Sequence, residues 1–294
     1  MRGDATTLVE QLVEQLNDGY IFPDRAMRAV ELLRARREQG AYAEATGPEL
    51  CERISADLLE ACKDKHLRLI WHDTPLAAPD QARLHDELRD QIRRENYGVR
   101  RVELCVDNVG VIELTIIPEA SSGGPTLAAA MQLVASTAAL IFDLRPTRGG
   151  SPEGVAFLSS YLLPDGEVHL SDFIEGPDGP TRQYWTSAYL PGPRYLDRPV
   201  YVLTSSTTFS GGEALAYDLQ ALGRAVVVGE RTRGGAHPSI MVPLTGQIEL
   251  RLPVARSVYA VTGSNWEGTG VQPDIVVPAS DALDVALVAI AHPS

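Results

Sequence analysis

Apolar residues recur at helical spacing through the first 65 positions. Leu8, Leu12, Val13 and Leu16 form one stripe, Ala26, Val30 and Leu33 a second, and Leu50, Ile54 and Leu58 a third. Helix punctuation falls between the stripes: Gly19 stops the first, Pro23-Asp24 opens the second, Gly40 closes it and Gly47-Pro48 precedes the third. Three short amphipathic helices predict a small bundle. Residues 66–71 then alternate as a strand does, 74–80 have linker composition, and 81–95 read as a charged helix.

From Gly98 the period changes. Strands are predicted over 99–107 and 109–117 on either side of Asn108, a helix over 125–137 and a buried strand over 139–144. A helix over 152–162, a strand over 199–203 and a helix over 211–222 follow, the last with Leu215, Leu219 and Leu222 on one face. Strands over 226–229, 248–254, 257–261 and 274–277 and a helix over 281–290 complete the reading. Strands alternating with helices predict an α/β layer with partly parallel pairing. The expected organisation is a helical domain at 1–73, a linker and connecting helix at 74–97, and an α/β core at 98–294. Residues 163–195, with Tyr184, Trp185 and Tyr195 among prolines and glycines, read as a lid or wall that shapes specificity.

Charge narrows the function classes. With 26 Lys+Arg against 39 Asp+Glu, the net charge of −13 argues against nucleic-acid binding, which needs clustered cations facing phosphates. An anionic membrane surface is disfavoured for the same reason. No apolar run reaches membrane-spanning length and the start Met1-Arg2-Gly3-Asp4 lacks an apolar signal core, so a cytoplasmic location is expected. Cys51 and Cys62 lie on one predicted helix about 16 Å apart, too far for a disulfide. With Cys105 they read as unpaired thiols in a reducing compartment. Only two residues, Lys63 and Lys65, are lysines. A Schiff base, a P-loop lysine or a Ser/Lys dyad is therefore excluded beyond position 65.

Four segments could carry chemistry. In Thr204-Ser-Ser-Thr-Thr-Phe-Ser210-Gly-Gly-Glu213, Ser210 sits between a buried strand and a helix, where free N–H groups, that of Gly211 first, can hold an oxyanion. The same spacing of Ser210 and Glu213 also spells a capping box. In Asp143-Leu-Arg-Pro-Thr-Arg-Gly149-Gly150, the paired glycines after a strand could supply a second oxyanion donor or simply make a turn. His66, in Asp64-Lys-His66, could act as a general base; His237, in Gly234-Gly-Ala-His237-Pro, competes for that role or for substrate binding. Glu267, in a glycine-rich loop, could orient a histidine or bind a substrate amine. No paired Cys/His spacing suits a metal and no glycine pattern suits a dinucleotide or a nucleotide phosphate, so no cofactor is expected.

Taken in order, D-x-H, D-L-R-x-x-x-G-G, T-S-x-x-T-F-S-G-G-E, G-E-x-T-x-G-G-A-H-P and W-E-G-x-G-V-x-P-D resemble the S41 peptidases across nearly the whole chain. The branch it is most similar to is that of interphotoreceptor retinoid-binding protein and its bacterial relatives, which also matches Gly19-Tyr20-Ile21-Phe22-Pro23-Asp24 and Asn108-Val109-Gly110. The resemblance implies a ClpP/crotonase-like α/β core behind an N-terminal three-helix domain, with Ser210 as nucleophile. Tail-specific members use a Ser/Lys dyad, but this chain reads Gly229-Glu-Arg-Thr-Arg-Gly-Gly235, with glycine where that lysine would fall. Ser210, His66 and Glu267 match instead the serine, histidine and glutamate of the tricorn-like branch, with Gly211 and Gly149 or Gly150 as the oxyanion hole. Pro146-Thr147-Arg148 departs from relatives that often carry Asn in that loop. About thirty residues separate His66 from the core, too few for a PDZ domain of about 100 residues.

The reading is a serine hydrolase acting on a peptide or small acyl substrate, with His237, Tyr184 and Trp185 toward the substrate. Two alternatives stay open: a non-catalytic binder of apolar, retinoid-like ligands, and a biosynthetic enzyme that reuses the site for cyclisation or another acyl-type step. A homo-oligomer is neither required nor excluded.

Overall fold

The computed structural model describes residues 2–75, 89–164, 166–176 and 179–292. Most of the charged helix expected over 81–95 lies outside the described residues, as does part of the linker. Elsewhere the hydrophobic pattern yields the elements it predicts, with displaced ends. The chain divides into two compact units, one of Met1–Leu84, Phe173–Arg182 and His237–Ser257, the other of His85–Asp172, Gln183–Ala236 and Val258–Ser294.

The first unit is built on helices α1 (Arg2–Gly19), α2 (Pro23–Glu38) and α3 (Gly47–Cys62). Proline within the first turn starts both α2 and α3, where its missing N–H costs nothing. Lys63 caps α3 in the left-handed region at φ 55°, turning the chain sharply into Asp64. Leu8, Leu12, Leu16, Leu33, Ile54 and Leu58 are fully buried together, each contributing about 1.5–3 kcal/mol relative to exposure. The helices pack on a three-stranded antiparallel sheet of β1 (Arg68–Trp71), β9 (Ser239–Pro243) and β10 (Ile248–Pro253), in the order β1-β10-β9. Arg68 pairs with Arg251 and Trp71 with Ile248. This pairing returns residues 237–257 to the N-terminal helices. The unit is thus discontinuous, unlike the contiguous segments 1–73 and 98–294 expected from composition.

The second unit holds a six-stranded sheet. Its strands are β2 (Val99–Cys105), β3 (Val109–Leu114), β4 (Ala139–Asp143), β7 (Val200–Thr204), β8 (Val226–Gly229) and β12 (Ile275–Val276), in the order β12-β8-β7-β4-β3-β2. Only the β2/β3 hairpin is antiparallel; the remaining neighbours run parallel. Helices α4 (Ala120–Leu133), α5 (Pro152–Leu162), α6 (Gly211–Ala221) and α7 (Ala282–Ala291) provide the crossovers and the closing helix. Helix α4 begins five residues before the expected start, taking Pro125 inside its early turns. Strands β5 (His169–Glu175), β6 (Thr181–Trp185) and β11 (Ala255–Tyr259) form a third sheet in the order β11-β5-β6. The stretch read as lid or wall therefore contains two strands. Among the described residues no helix is long and apolar enough to cross a membrane.

Candidate active site

Parallel pairing of β4 and β7, the two central strands, brings the loops that follow them out side by side at the carboxyl ends of the strands. They are stitched by Thr208 Oγ1 donating to Leu144 O at 2.9 Å, Ser205 Oγ to Arg145 O at 2.7 Å, and Phe209 N to Thr147 O at 3.1 Å. Asp143 holds Arg145 through a bidentate ion pair, and buried Thr147 donates to Leu114 O at 2.6 Å. Gly149 faces the nucleophile candidate directly: a Cβ there would lie 3.4 Å from Ser210 Cβ. A Cβ on Gly211 would meet Gly150 N at 2.7 Å, so the two backbones approach as closely as glycine permits. Ser210, Gly211, Gly149 and Gly150 are thus brought together within one unit.

The backbone of Ser210 bears on both of its readings. The capping box is present, with Ser210 N donating to Glu213 Oε2 at 2.8 Å. An ordinary N-cap residue keeps extended backbone angles. Ser210 instead has φ 51° and ψ −114°, a sparsely populated conformation for a residue with a Cβ, costing about 1–3 kcal/mol. Capping alone needs no such strain. The turn sets a partly exposed Ser210 at the head of α6, where free N–H groups favour developing negative charge.

Glu213 maintains that turn. Fully buried, its carboxylate accepts from Ser210 N, Thr232 Oγ1 at 2.6 Å, Gly234 N at 2.5 Å and Gly235 N at 2.9 Å. Burial raises its pKa, and the four donors pull against that shift without cancelling it. The 232–236 strap held by Glu213 is also tied to the loop of Glu267. Ala236 N donates to Glu267 Oε2 at 2.6 Å, Trp266 Nε1 to Gly235 O at 2.9 Å, and Gly268 N to Gly234 O at 3.2 Å. The linking role of Glu213 was invisible beyond its capping position.

In the first unit, Asp64 organises both histidine candidates. Its buried carboxylate accepts the backbone N–H of His66 at 3.0 Å through Oδ1, the Tyr20 hydroxyl at 3.1 Å, and lies 2.9 Å from His237 Nδ1. The Phe22 ring packs on the His237 imidazole with centroids 4.9 Å apart. Burial would raise the Asp64 pKa, but the hydrogen bond with His237 and the histidine neighbours hold it below the usual carboxylate value. His66 is pushed down to about 3, chiefly by burial; Asp64 pulls it up while Arg251, Arg68 and His237 oppose protonation. Sequence pattern alone pointed to Asp64 only as part of D-x-H; its hold on His237 spans 173 residues.

Acid should therefore loosen this unit. Between pH 6.5 and 3 the unfolded chain binds a proton at His66 that the folded one does not, so stability rises with pH across that window. Lowering the pH from 7 to 4.5 is expected to cost about 3 kcal/mol through His66. Urea midpoints at the two pH values should show a clearly smaller loss in His66→Asn than in the wild type.

Tyr184 and Trp185 lie on β6. Tyr184 is buried, and the half-exposed Trp185 stacks on His169 at 4.4 Å with 12° between planes. His169 in turn meets Asp172 at 2.9 Å. Cys51 and Cys62 are buried free thiols and Cys105 is partly exposed.

The chain matches the model of peptidase family S41 over residues 108–277. A carboxy-terminal-processing protease of Bartonella bacilliformis is 33% identical over 81 residues, 28% of this chain and 18% of that protein. This chain thus matches just under a fifth of the length of that curated relative. The solved structure of a presumed peptidase from Parabacteroides merdae superposes with a TM-score of 0.67 at 19% identity, covering 99% of this chain and 98% of the other. The photosystem II D1 C-terminal processing protease superposes with a TM-score of 0.54 at 14% identity, covering 99% and 98%.

Proposed function

Because the chain belongs to peptidase family S41, we propose that it is a serine peptidase in which Ser210 attacks the carbonyl of a peptide or related acyl substrate. The strained backbone of Ser210 carries this reading. A serine that served only to cap α6 would gain nothing from φ 51°. The N–H of Gly211, with one from Gly149 or Gly150, is the proposed oxyanion hole. The six-stranded layer would then be a ClpP/crotonase-like core, and the N-terminal helices the three-helix domain of the retinoid-binding-protein-like branch.

His66 is the proposed base, taking the Ser210 Oγ proton and passing it to the leaving amine. Glu267 supports the base or the substrate, and His237 is held beside the same carboxylate as His66. Asp64 is the one neighbour that raises His66 basicity, so its charge would favour the imidazolium formed during attack. Water then hydrolyses the acyl-enzyme by the reverse proton path. A fluorophosphonate probe tests the proposal. It should label the wild type on the peptide containing Ser210, and His66→Ala should slow labelling and activated-ester hydrolysis by about 10²–10⁴-fold. Labelling mapped to another serine would overturn the nucleophile. A larger effect in His237→Ala than in His66→Ala would transfer the base role to His237.

A further inference from the structure

The loop that meets Ser210 also walls a cavity of about 400 Å³ within the second unit, lined by Glu95, Arg100, Thr115, Pro146 and Arg148. The backbone on its inner side is fixed. Arg148 N donates to Thr115 O at 2.9 Å, Ile117 N to Gly149 O at 3.0 Å and Ser151 N to Ile117 O at 2.8 Å. The side chains are less constrained. Arg148 extends to Glu95 at 2.7 Å, and Arg100 to Glu113 at 3.2 Å, with the two arginine side chains 62% and 66% exposed. Ion pairs this exposed contribute little, so a competing anion can displace the glutamate partner. The recess thus presents two guanidinium groups, each held to a single carboxylate, Arg148 to Glu95 and Arg100 to Glu113. A planar guanidinium favours carboxylates, which it can grip with two parallel hydrogen bonds.

We propose that this cavity is a substrate subsite that accepts a carboxylate, with Arg148 as its specificity-determining residue and Arg100 as the second cation. The inference rests on the peptidase reading and names a substrate class for it. Arg148 directly precedes Gly149, which packs against Ser210, so a peptide anchored there is bound by the same loop that faces the nucleophile. The carboxylate takes the place of Glu95 on Arg148, and no covalent step is involved. An acidic side chain and a free C-terminus offer the same group.

The experiment uses fluorogenic peptide sets that differ in one feature: Asp or Glu against Asn or Gln at each position, and a free against an amidated C-terminus. The wild type should favour one carboxylate series by about tenfold or more in kcat/KM, and which series responds identifies the source. Arg148→Ala should remove that ratio, Arg148→Lys should keep part of it, and Glu95→Gln should enlarge it. Arg148→Glu should reverse the preference toward peptides carrying Lys at the same position. Titration of Ser210→Ala protein with the same peptides reads the affinity ratio where nothing is cleaved. A ratio near one in both assays, or one unchanged in Arg148→Ala, overturns the subsite. Carboxylate-dependent binding without cleavage or fluorophosphonate labelling would retain the subsite and remove the peptidase reading.

Discussion

Replacement of Ser210 by alanine is expected to abolish fluorophosphonate labelling and to lower ester and peptide hydrolysis by about 10⁴-fold or more. The effect is large because the remaining hydroxyls of the loop have structural duties. Ser205 Oγ donates to Arg145 O, Thr208 Oγ1 to Leu144 O and Thr207 Oγ1 to Arg145 O at 3.2 Å. The cost in stability should be modest, about 1 kcal/mol for a lost cap, and the thermal midpoint should drop by only a few degrees. Glycine provides the control. At φ 51° it relieves the strain that serine and alanine share, so Ser210→Gly should be equally inactive yet at least as stable as Ser210→Ala. Residual labelling in both variants would show that the strained turn serves something other than nucleophilic attack.

The largest loss of stability is expected at Glu213. Alanine there leaves Ser210 N, Thr232 Oγ1, Gly234 N and Gly235 N without their shared acceptor, a loss of about 3–5 kcal/mol in a denaturant titration. Glutamine keeps one oxygen and turns an amide N–H toward the remaining donors, so it should cost somewhat less. Activity should fall in both variants even where they stay folded, because the Ser210 turn loses its anchor. The pH signature is opposite to that of His66. The folded pKa of Glu213 lies above its unfolded value, so the folded state holds this proton more tightly and the contribution of Glu213 falls as pH rises through that interval. Acid thus favours the folded second unit through Glu213 and disfavours the folded first unit through His66. Amide exchange at pH 4.5 should show helices α1–α3 opening before the six-stranded sheet, and the reverse order would refute this assignment.

Local physics made much of this architecture readable. Gly19, Pro23, Gly40, Gly47 and Pro48 mark helix ends because glycine and proline act on the backbone regardless of tertiary context. The parallel strands read as continuous apolar runs because both their faces are buried; β4 is buried at every position. Strand β9, with Ile240 and Met241 exposed, has no such run and carries no strand signal in the sequence. Strands β5 and β6, half-exposed among turns, resembled irregular chain for the same reason. At the site, Ser210, His66, Glu267 and the glycines were identifiable as residues. The four donors converging on Glu213 and the three groups meeting at Asp64 were not, because each joins segments whose separation is set by folding rather than spacing. The positive φ of Ser210 was equally hidden, since nothing in Phe-Ser-Gly-Gly distinguishes a strained cap from an ordinary one.

Both lysines bracket Asp64, and this gives the turn after α3 a use as a built-in reporter. A lysine-specific endoprotease can cut the polypeptide only after residues 63 and 65, releasing α1–α3 from everything that begins at His66. The bonds concerned flank a buried carboxylate held by Tyr20, His66 and His237. A protease needs several residues drawn out into its cleft, so cutting requires those contacts to part first. The rate of appearance of the two fragments under native conditions therefore clocks the opening of the histidine cluster itself, with no label introduced.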